Sequence, residues 1–186
     1  MTTLRLRPER AADAPAIRRV IAEAFARPDA TVPAEVSLVD RLRHTEAWLP
    51  ELSMLAEAGL ELVGYALLSR VWVEPGRYPA LVLGPVAVAP RRHGQGVGTA
   101  VVQAALYAAA ELGERLVLVL GNPAWYRRFG FVPAARFGLT SPWSGLGDPW
   151  QALVLPSGSG TPSPTGSARS SPPAGEVVFP SPWSLV

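Results

Sequence analysis

The residues from 86 to 99 combine a strand, a basic turn and three alternating glycines at the start of a helix. They read Val-Ala-Val-Ala-Pro-Arg-Arg-His-Gly-Gln-Gly-Val-Gly-Thr. Glycine lets the backbone approach a ligand closely, and a helix N-terminus adds unpaired N–H donors at its positive dipole end. A pyrophosphate fits such a site. The stretch is not a Walker A loop, because no lysine follows the last glycine, and it does not match G-x-G-x-x-G.

A second segment, residues 121–131, follows an apolar strand and reads Gly-Asn-Pro-Ala-Trp-Tyr-Arg-Arg-Phe-Gly-Phe. Its phenol, Tyr126, has an ordinary pKa of about 10 and can donate a proton at neutral pH. Both segments also have simpler interpretations. A glycine-rich turn before a helix is often only a tight connection, and an aromatic residue after a strand is often a core residue.

Together the two segments resemble the GNAT superfamily of acetyl-coenzyme A dependent N-acetyltransferases. The first is similar to motif A, written Q/R-x-x-G-x-G/A, and two registers satisfy its letters, one from Arg91 and one from His93. The register from His93 is preferred, because it places the last two glycines against the helix start. The second segment, residues 121–131, is similar to the segment that follows the fifth strand of the family. Its spacing is similar to that of a subgroup of small predicted acetyltransferases. The resemblance covers residues 4–155.

The resemblance implies a donor site and an acid. Acetyl-coenzyme A would be the co-substrate, with its pantetheine arm entering between splayed strands and its pyrophosphate held mostly by main-chain N–H groups. Tyr126 would be the general acid that protonates the coenzyme A thiolate, and the acceptor would be a primary amine. The implied cofactor-binding residues are Val86, Ala87, Val88, Arg91, Arg92, His93, Gly94, Gln95, Gly96, Val97, Gly98, Thr99 and Asn122.

The sequence does not identify the base that deprotonates the amine. Glu57, Glu74, His44 and His93 are candidates, although each such side chain is more often a solvated surface group. This leaves an alternative function, a regulatory module that binds coenzyme A or an acyl thioester without turnover. Four tryptophans are candidates for lining an acceptor pocket, or for core packing: Trp72, Trp125, Trp143 and Trp150.

Composition limits the remaining classes of function. The 186 residues suit one ordinary domain, and the absence of cysteine together with only two histidines predicts no metal site. All 17 basic residues are arginine, yet the net charge is only +2, so a nucleic-acid partner is not expected. No apolar run reaches the roughly 18 residues of a membrane span, so a cytoplasmic location is expected. A homodimer is the default assembly.

Hydrophobic periodicity predicts an α/β (α+β) fold in the order β-α-α-β-β-β-α-β-α-β-β. The resemblance implies a GNAT-like mixed, largely antiparallel central sheet flanked by helices. Gly84-Pro85 interrupts one apolar run and predicts a bulge or a splayed edge there. Strands are expected at residues 3–8, 52–56, 61–71, 80–88, 116–120, 131–135 and 150–155, and helices at 13–25, 34–44, 97–112 and 123–129.

The domain organisation follows from a change of composition near the C-terminus. Residues 1–155 form the predicted GNAT acetyltransferase domain. Residues 156–175 are mostly Ser, Pro, Gly and Thr, which predicts a linker with too little apolar surface to order itself. Apolar character returns in the tail, residues 176–186. Two alternatives are open for this tail, an added strand in the sheet or a free end.

Overall fold

The computed structural model describes residues 3–28, 32–156 and 172–185, and its contacts divide the chain into two units. The first unit comprises Met1–Arg70, Leu83–Ala108 and Pro180–Val186, and the second comprises Val71–Val82 and Ala109–Phe179. Most of the predicted linker, residues 157–171, lies outside the described residues.

The strands of the first unit form an antiparallel meander at its start. β1 (Leu4–Pro8) pairs with β2 (Ser53–Ala58), which pairs with β3 (Glu61–Glu74), and β4 (Tyr78–Val88) is next in the order. The turn between β2 and β3 contains Gly59 at φ +65°, a conformation that glycine adopts without a steric cost. This agrees with the hairpin predicted at Ala58-Gly59.

Two amphipathic helices of the first unit bury one face each. In α1 (Ala14–Ala24) the buried residues Ile17, Val20 and Ile21 follow helical spacing, and α2 (Ala34–Leu42) buries four aliphatic residues. An ion-pair network holds the end of α2: Arg43 Nε donates to Glu9 Oε1 at 2.8 Å. The third helix, α3 (Val97–Glu111), begins in this unit and carries a buried apolar face.

The second unit contains the strands after α3. β5 (Leu116–Leu120) pairs antiparallel with β8 (Trp150–Val154), which also pairs with the two-residue strand β6 (Val132–Pro133). A further strand, β9 (Gly175–Val178), pairs antiparallel with residues 72–74 of β3 and parallel with β7 (Leu139–Thr140). The short helix α4 (Pro123–Tyr126) follows β5.

The predicted elements are found with small changes of boundary, and one needs correction. The strand expected over residues 131–135 is limited to β6, because Ala134–Phe137 turns into a 3-10 helix that ends at Gly138 with φ +66°. At Gly84-Pro85, where a bulge or a splayed edge is predicted, the strand continues from Tyr78 to Val88, with a cis peptide bond between those two residues. The bulge or splayed edge stays a prediction. No helix in the described residues is long and apolar enough to cross a membrane.

Candidate active site

The glycine turn, residues 89–96, joins β4 to α3 in the first unit. A single 3-10 turn, Pro90–Arg92, is followed by Gly94 at φ +74° and Gly96 at φ +81°. These left-handed conformations favour glycine, and a Cβ built on either residue meets no heavy atom within 4 Å. The turn therefore presents bare backbone to open space immediately before a helix N-terminus.

Hydrogen bonds fix where the turn starts and where the helix begins. The N–H of Ala89 donates to the Val63 carbonyl at 2.9 Å, which ties the end of β4 to β3. The N–H of Ala100 donates to the Gly96 carbonyl at 2.9 Å, the first bond of the α3 ladder. Val97 and Gly98 therefore lie in the first turn of α3, where the N–H groups of a helix point outward along its axis. The local geometry suits a bound anion.

The side chain of Arg91 is directed towards two carboxylates. Its guanidinium contacts Glu61, which follows the β2–β3 turn, and donates to Glu23 Oε2 at 3.0 Å at the end of α1. Hydrogen bonds to Glu61 and then Glu23 raise the pKa of Arg91. Because two carboxylates neutralise this cation, Arg91 braces the glycine turn against neighbouring elements.

The other polar side chains of the turn contact the turn itself. Gln95 Nε2 donates to the Arg91 carbonyl at 3.1 Å, and Arg92 Nη1 donates to Gln95 Oε1 at 3.4 Å. His93 Nε2 lies 3.0 Å from the carbonyl oxygen of Val88. These side chains shape the loop, in which the N–H of Gln95 also donates to the Arg92 carbonyl at 3.3 Å.

Sequence reasoning missed Gly64, a glycine inside β3 against which the first residue of α3 packs. A Cβ at this position would lie 2.6 Å from Val97 Cγ1 and 3.2 Å from the Ala56 side chain. Only a residue without a side chain lets the first residue of the helix pack so closely on the sheet. The available signal was the glycine itself, because a glycine in a strand interior often marks a close approach.

Tyr126 and Asn122 lie in the second unit, on the short helix after β5. Asn122 is the N-cap of α4: its side-chain oxygen accepts from the Ala124 N–H at 2.9 Å, and its carbonyl accepts from Tyr126. Asparagine is a preferred residue at this position. The structure thus gives Asn122 a helix-capping role, and the cofactor contact assigned to it is an additional prediction.

Tyr126 is a largely buried phenol in a group of aromatic rings. Its side chain is 9% exposed and packs edge-on against Trp125 and Phe131 at centroid distances of 4.7 and 5.6 Å. Burial raises the pKa of Tyr126 to about 12. The hydroxyl therefore stays protonated throughout the neutral range, as a proton donor must.

The candidate bases have other roles or no feature that favours them. Glu57 is paired with Arg7, whose Nη2 lies 2.5 Å from its carboxylate. His93 is engaged by the Val88 carbonyl, and His44 is exposed at the end of α2. Of the tryptophans, Trp150 is buried and forms a ring cluster with Trp143 and Phe179. In the described residues no group of three or more potential metal-ligating side chains is found.

Comparison with known proteins agrees with the fold and with both segments. The model of the acetyltransferase (GNAT) family matches residues 16–131. The chain is 32% identical over 143 residues to the uncharacterized N-acetyltransferase YhbS of Escherichia coli K12, covering 77% of this chain and 82% of that protein. The chain belongs to the GNAT acetyltransferase family and is, by class, an acetyltransferase enzyme.

Solved structures of relatives support the same fold. The crystal structure of E. coli YhbS in complex with CoA matches with a TM-score of 0.81 at 26% identity, covering 99% of this chain and 93% of that one. A GNAT family acetyltransferase from Brucella melitensis in complex with acetyl-CoA matches with a TM-score of 0.75 at 28% identity, covering 98% and 99%. The predicted family and the mixed, mostly antiparallel sheet flanked by helices are confirmed.

Proposed function

We propose that this protein transfers an acetyl group from acetyl-coenzyme A to a primary amine by direct attack, with Tyr126 as the general acid. The observation that carries the proposal is the glycine turn, whose two left-handed glycines leave bare backbone beside the start of α3. Relatives of known structure bind acetyl-CoA and CoA, which supports the same donor for this chain.

The donor binds through the backbone of β4 and of the glycine turn. The main-chain groups of Val86, Ala87 and Val88 hold the pantetheine arm and polarise the thioester carbonyl. Backbone N–H groups of residues 94–99 hold the pyrophosphate, with Thr99 adding its hydroxyl. Preorganised N–H donors need no reorganisation when negative charge develops on a thioester oxygen or rests on phosphate. Arg92 adds positive charge near the same turn.

The chemical step forms one C–N bond and breaks one C–S bond. The neutral amine attacks the thioester carbonyl carbon, and the tetrahedral intermediate collapses by expelling the coenzyme A thiolate. Tyr126 donates its phenolic proton to the thiolate sulfur, the amine gives up a proton to solvent, and the phenolate takes a proton back from solvent before the next turnover. A phenol with a pKa of about 12 remains available as a donor at any assay pH in the neutral range.

The acceptor is a primary amine, carried by a small molecule or a peptide. A cytoplasmic location and a homodimer are further parts of the proposal, in keeping with the supply of acetyl-coenzyme A inside cells and with the commonest assembly of soluble enzymes. The absence of lysine in the sequence helps the test, because no lysine side chain of the enzyme can accept acetyl groups and mimic turnover.

The experiment measures thiol release from acetyl-coenzyme A with a panel of primary amines, for the wild type and Tyr126→Phe. Loss of a general acid lowers kcat by about a hundredfold or more. The dissociation constant of CoA should be unchanged. Tight CoA binding without thiol release on any amine would favour the regulatory binding module instead. Equal kcat values for wild type and variant would remove Tyr126 from the mechanism.

A further inference from the structure

The C-terminal residues of the first unit place an indole ring against the middle of β4. The 3-10 helix Ser181–Leu185 contacts α2 and carries Trp183, which is 8% exposed. The indole Nε1–H donates to Ser69 Oγ at 3.3 Å, and Ser69, on β3, is fully buried. The hydrogen bond to Ser69 therefore helps to orient this ring.

The indole occupies the space where a side chain of β4 would stand. Gly84 has no side chain, and a Cβ built on it would lie 3.1 Å from Trp183 Cη2 and 3.8 Å from Cζ3. The six-membered part of the ring thus covers the backbone at Gly84. Any larger residue at position 84 would compete with the ring for that volume.

Gly84 shares a partly open face of β4 with the residues assigned to the donor. Gly84, Val86 and Val88 are half-buried, whereas Pro85 and Ala87 between them are buried. This alternation is typical of a strand with one covered and one accessible face. Gly84 precedes Val86 by two residues on the same strand, so Trp183 lies beside the part of β4 that is assigned to the thioester.

We infer that Trp183 closes the acyl end of the donor site and restricts the donor to short acyl groups. The inference rests on the proposed function, in which the main chain of Val86 polarises the thioester carbonyl. An acyl chain that extends from that carbonyl towards Gly84 meets the indole that covers this residue. An acetyl group is short enough to stop before the indole. A longer acyl chain can be accommodated only if its additional methylene groups displace the indole. Trp183 is thus a specificity-determining residue.

The test measures dissociation constants by calorimetry for CoA, acetyl-CoA, butyryl-CoA and hexanoyl-CoA, without any acceptor amine. The wild type should bind hexanoyl-CoA more weakly than acetyl-CoA. In Trp183→Ala the vacated volume accepts methylenes, and each buried methylene contributes roughly fourfold in affinity. The affinity of butyryl-CoA relative to acetyl-CoA should therefore rise about tenfold, with CoA itself unchanged.

Three variants separate acyl selection from general loss of packing. Trp183→Phe keeps an aromatic ring and should show a smaller gain, and Ser69→Ala frees the indole and should shift the ratio in the same direction. Trp143→Ala removes an indole from the second unit and should leave the ratio unchanged. If Trp183→Ala does not fold, Trp183→Leu, which keeps a large apolar side chain at this position, replaces it.

Two results would overturn the inference, and they differ from failure of the proposed function. If the wild type binds hexanoyl-CoA as tightly as acetyl-CoA, the indole of Trp183 does not limit the length of the acyl chain. A folded Trp183→Ala or Trp183→Leu with the wild-type ratio shows that the ring does not limit the chain. If the wild type binds neither CoA nor acetyl-CoA, or never releases thiol, the proposed function itself fails.

Discussion

The ring of Tyr126 lies directly against the backbone of Gly121, five residues earlier in the chain. A Cβ built on Gly121 would overlap the ring, with Cε2 as the nearest atom and Cδ2 at 3.0 Å. Two hydrogen bonds hold the backbone of Gly121 in place. Its N–H donates to the Pro149 carbonyl at 2.9 Å, and its carbonyl accepts from Gln151 Nε2 at 3.1 Å. The absence of a side chain at Gly121 therefore helps to determine where the phenol lies.

Gly121→Ala should lower kcat by displacing the phenol. The added methyl group cannot coexist with the present ring position, and misplacement of a reacting group by about 1 Å can cost on the order of a hundredfold in rate. Steady-state kinetics of thiol release measure the effect, with the CoA dissociation constant expected to stay constant. Gly145→Ala is the matched control, because a Cβ there meets nothing within 4 Å. A Gly121→Ala enzyme with normal kcat would contradict this account.

The pH profile should have no basic limb from Tyr126 in the accessible range. Burial raises the pKa of this phenol to about 12, so it keeps its proton up to about pH 11. Activity should instead rise with pH as the acceptor amine loses its proton, and then reach a plateau. Tyr126→Phe should lower the plateau without changing the shape. A basic limb near pH 9 that is absent in Tyr126→Phe would show that the phenol titrates lower.

Alanine at Gly94 or Gly96 should weaken coenzyme A binding. Each glycine has a positive φ that alanine adopts at a cost of about 1 kcal/mol or more, so the turn should change its backbone geometry. We expect the CoA dissociation constant to rise about tenfold in calorimetric titrations. Gly76→Ala, which also meets open space, controls for the added methyl group. Unchanged CoA affinity in both turn variants would show that this backbone does not bind the cofactor.

Asp13 should make the fold sensitive to acid. Arg7 donates to both carboxylate oxygens of Asp13 at 2.7 and 2.9 Å, and these bonds lower the pKa of Asp13 below its ordinary value of 3.8. The stabilisation is present above the unfolded-state pKa and is lost as pH falls through the lower folded-state pKa. Asp13→Asn should therefore lose about 1–3 kcal/mol of unfolding free energy at pH 7.

Urea unfolding at pH 7 and at pH 3 measures this effect. The difference between wild type and Asp13→Asn should shrink at the lower pH, because the stability linked to the lowered pKa of Asp13 is lost progressively below the unfolded-state value of 3.8. Asp148→Asn, at an exposed carboxylate, controls for the removal of one charge. A difference that stays constant between the two pH values would exclude the ion pair as its cause.

Local pattern was sufficient to predict most of the fold. The glycine and aromatic segments identified the family, and hydrophobic periodicity located α1, α3 and β5 almost to the residue, because burial of one face imposes its period on the sequence. The predicted strand at residues 131–135 was too long. Its apolar letters gave no sign that the chain turns into a 3-10 helix after two residues.

Contacts between distant residues were decided only by the tertiary structure. The sequence placed Arg91 beside the glycines and so suggested a phosphate ligand, whereas folding brings Glu23 and Glu61 to its guanidinium. Tyr126 could be located by motif, but the rise of its pKa needs the burial that packing creates. The indole of Trp183 reaches Ser69, 114 positions away, and no local period records such a pair, because side chains meet wherever the backbone path brings them.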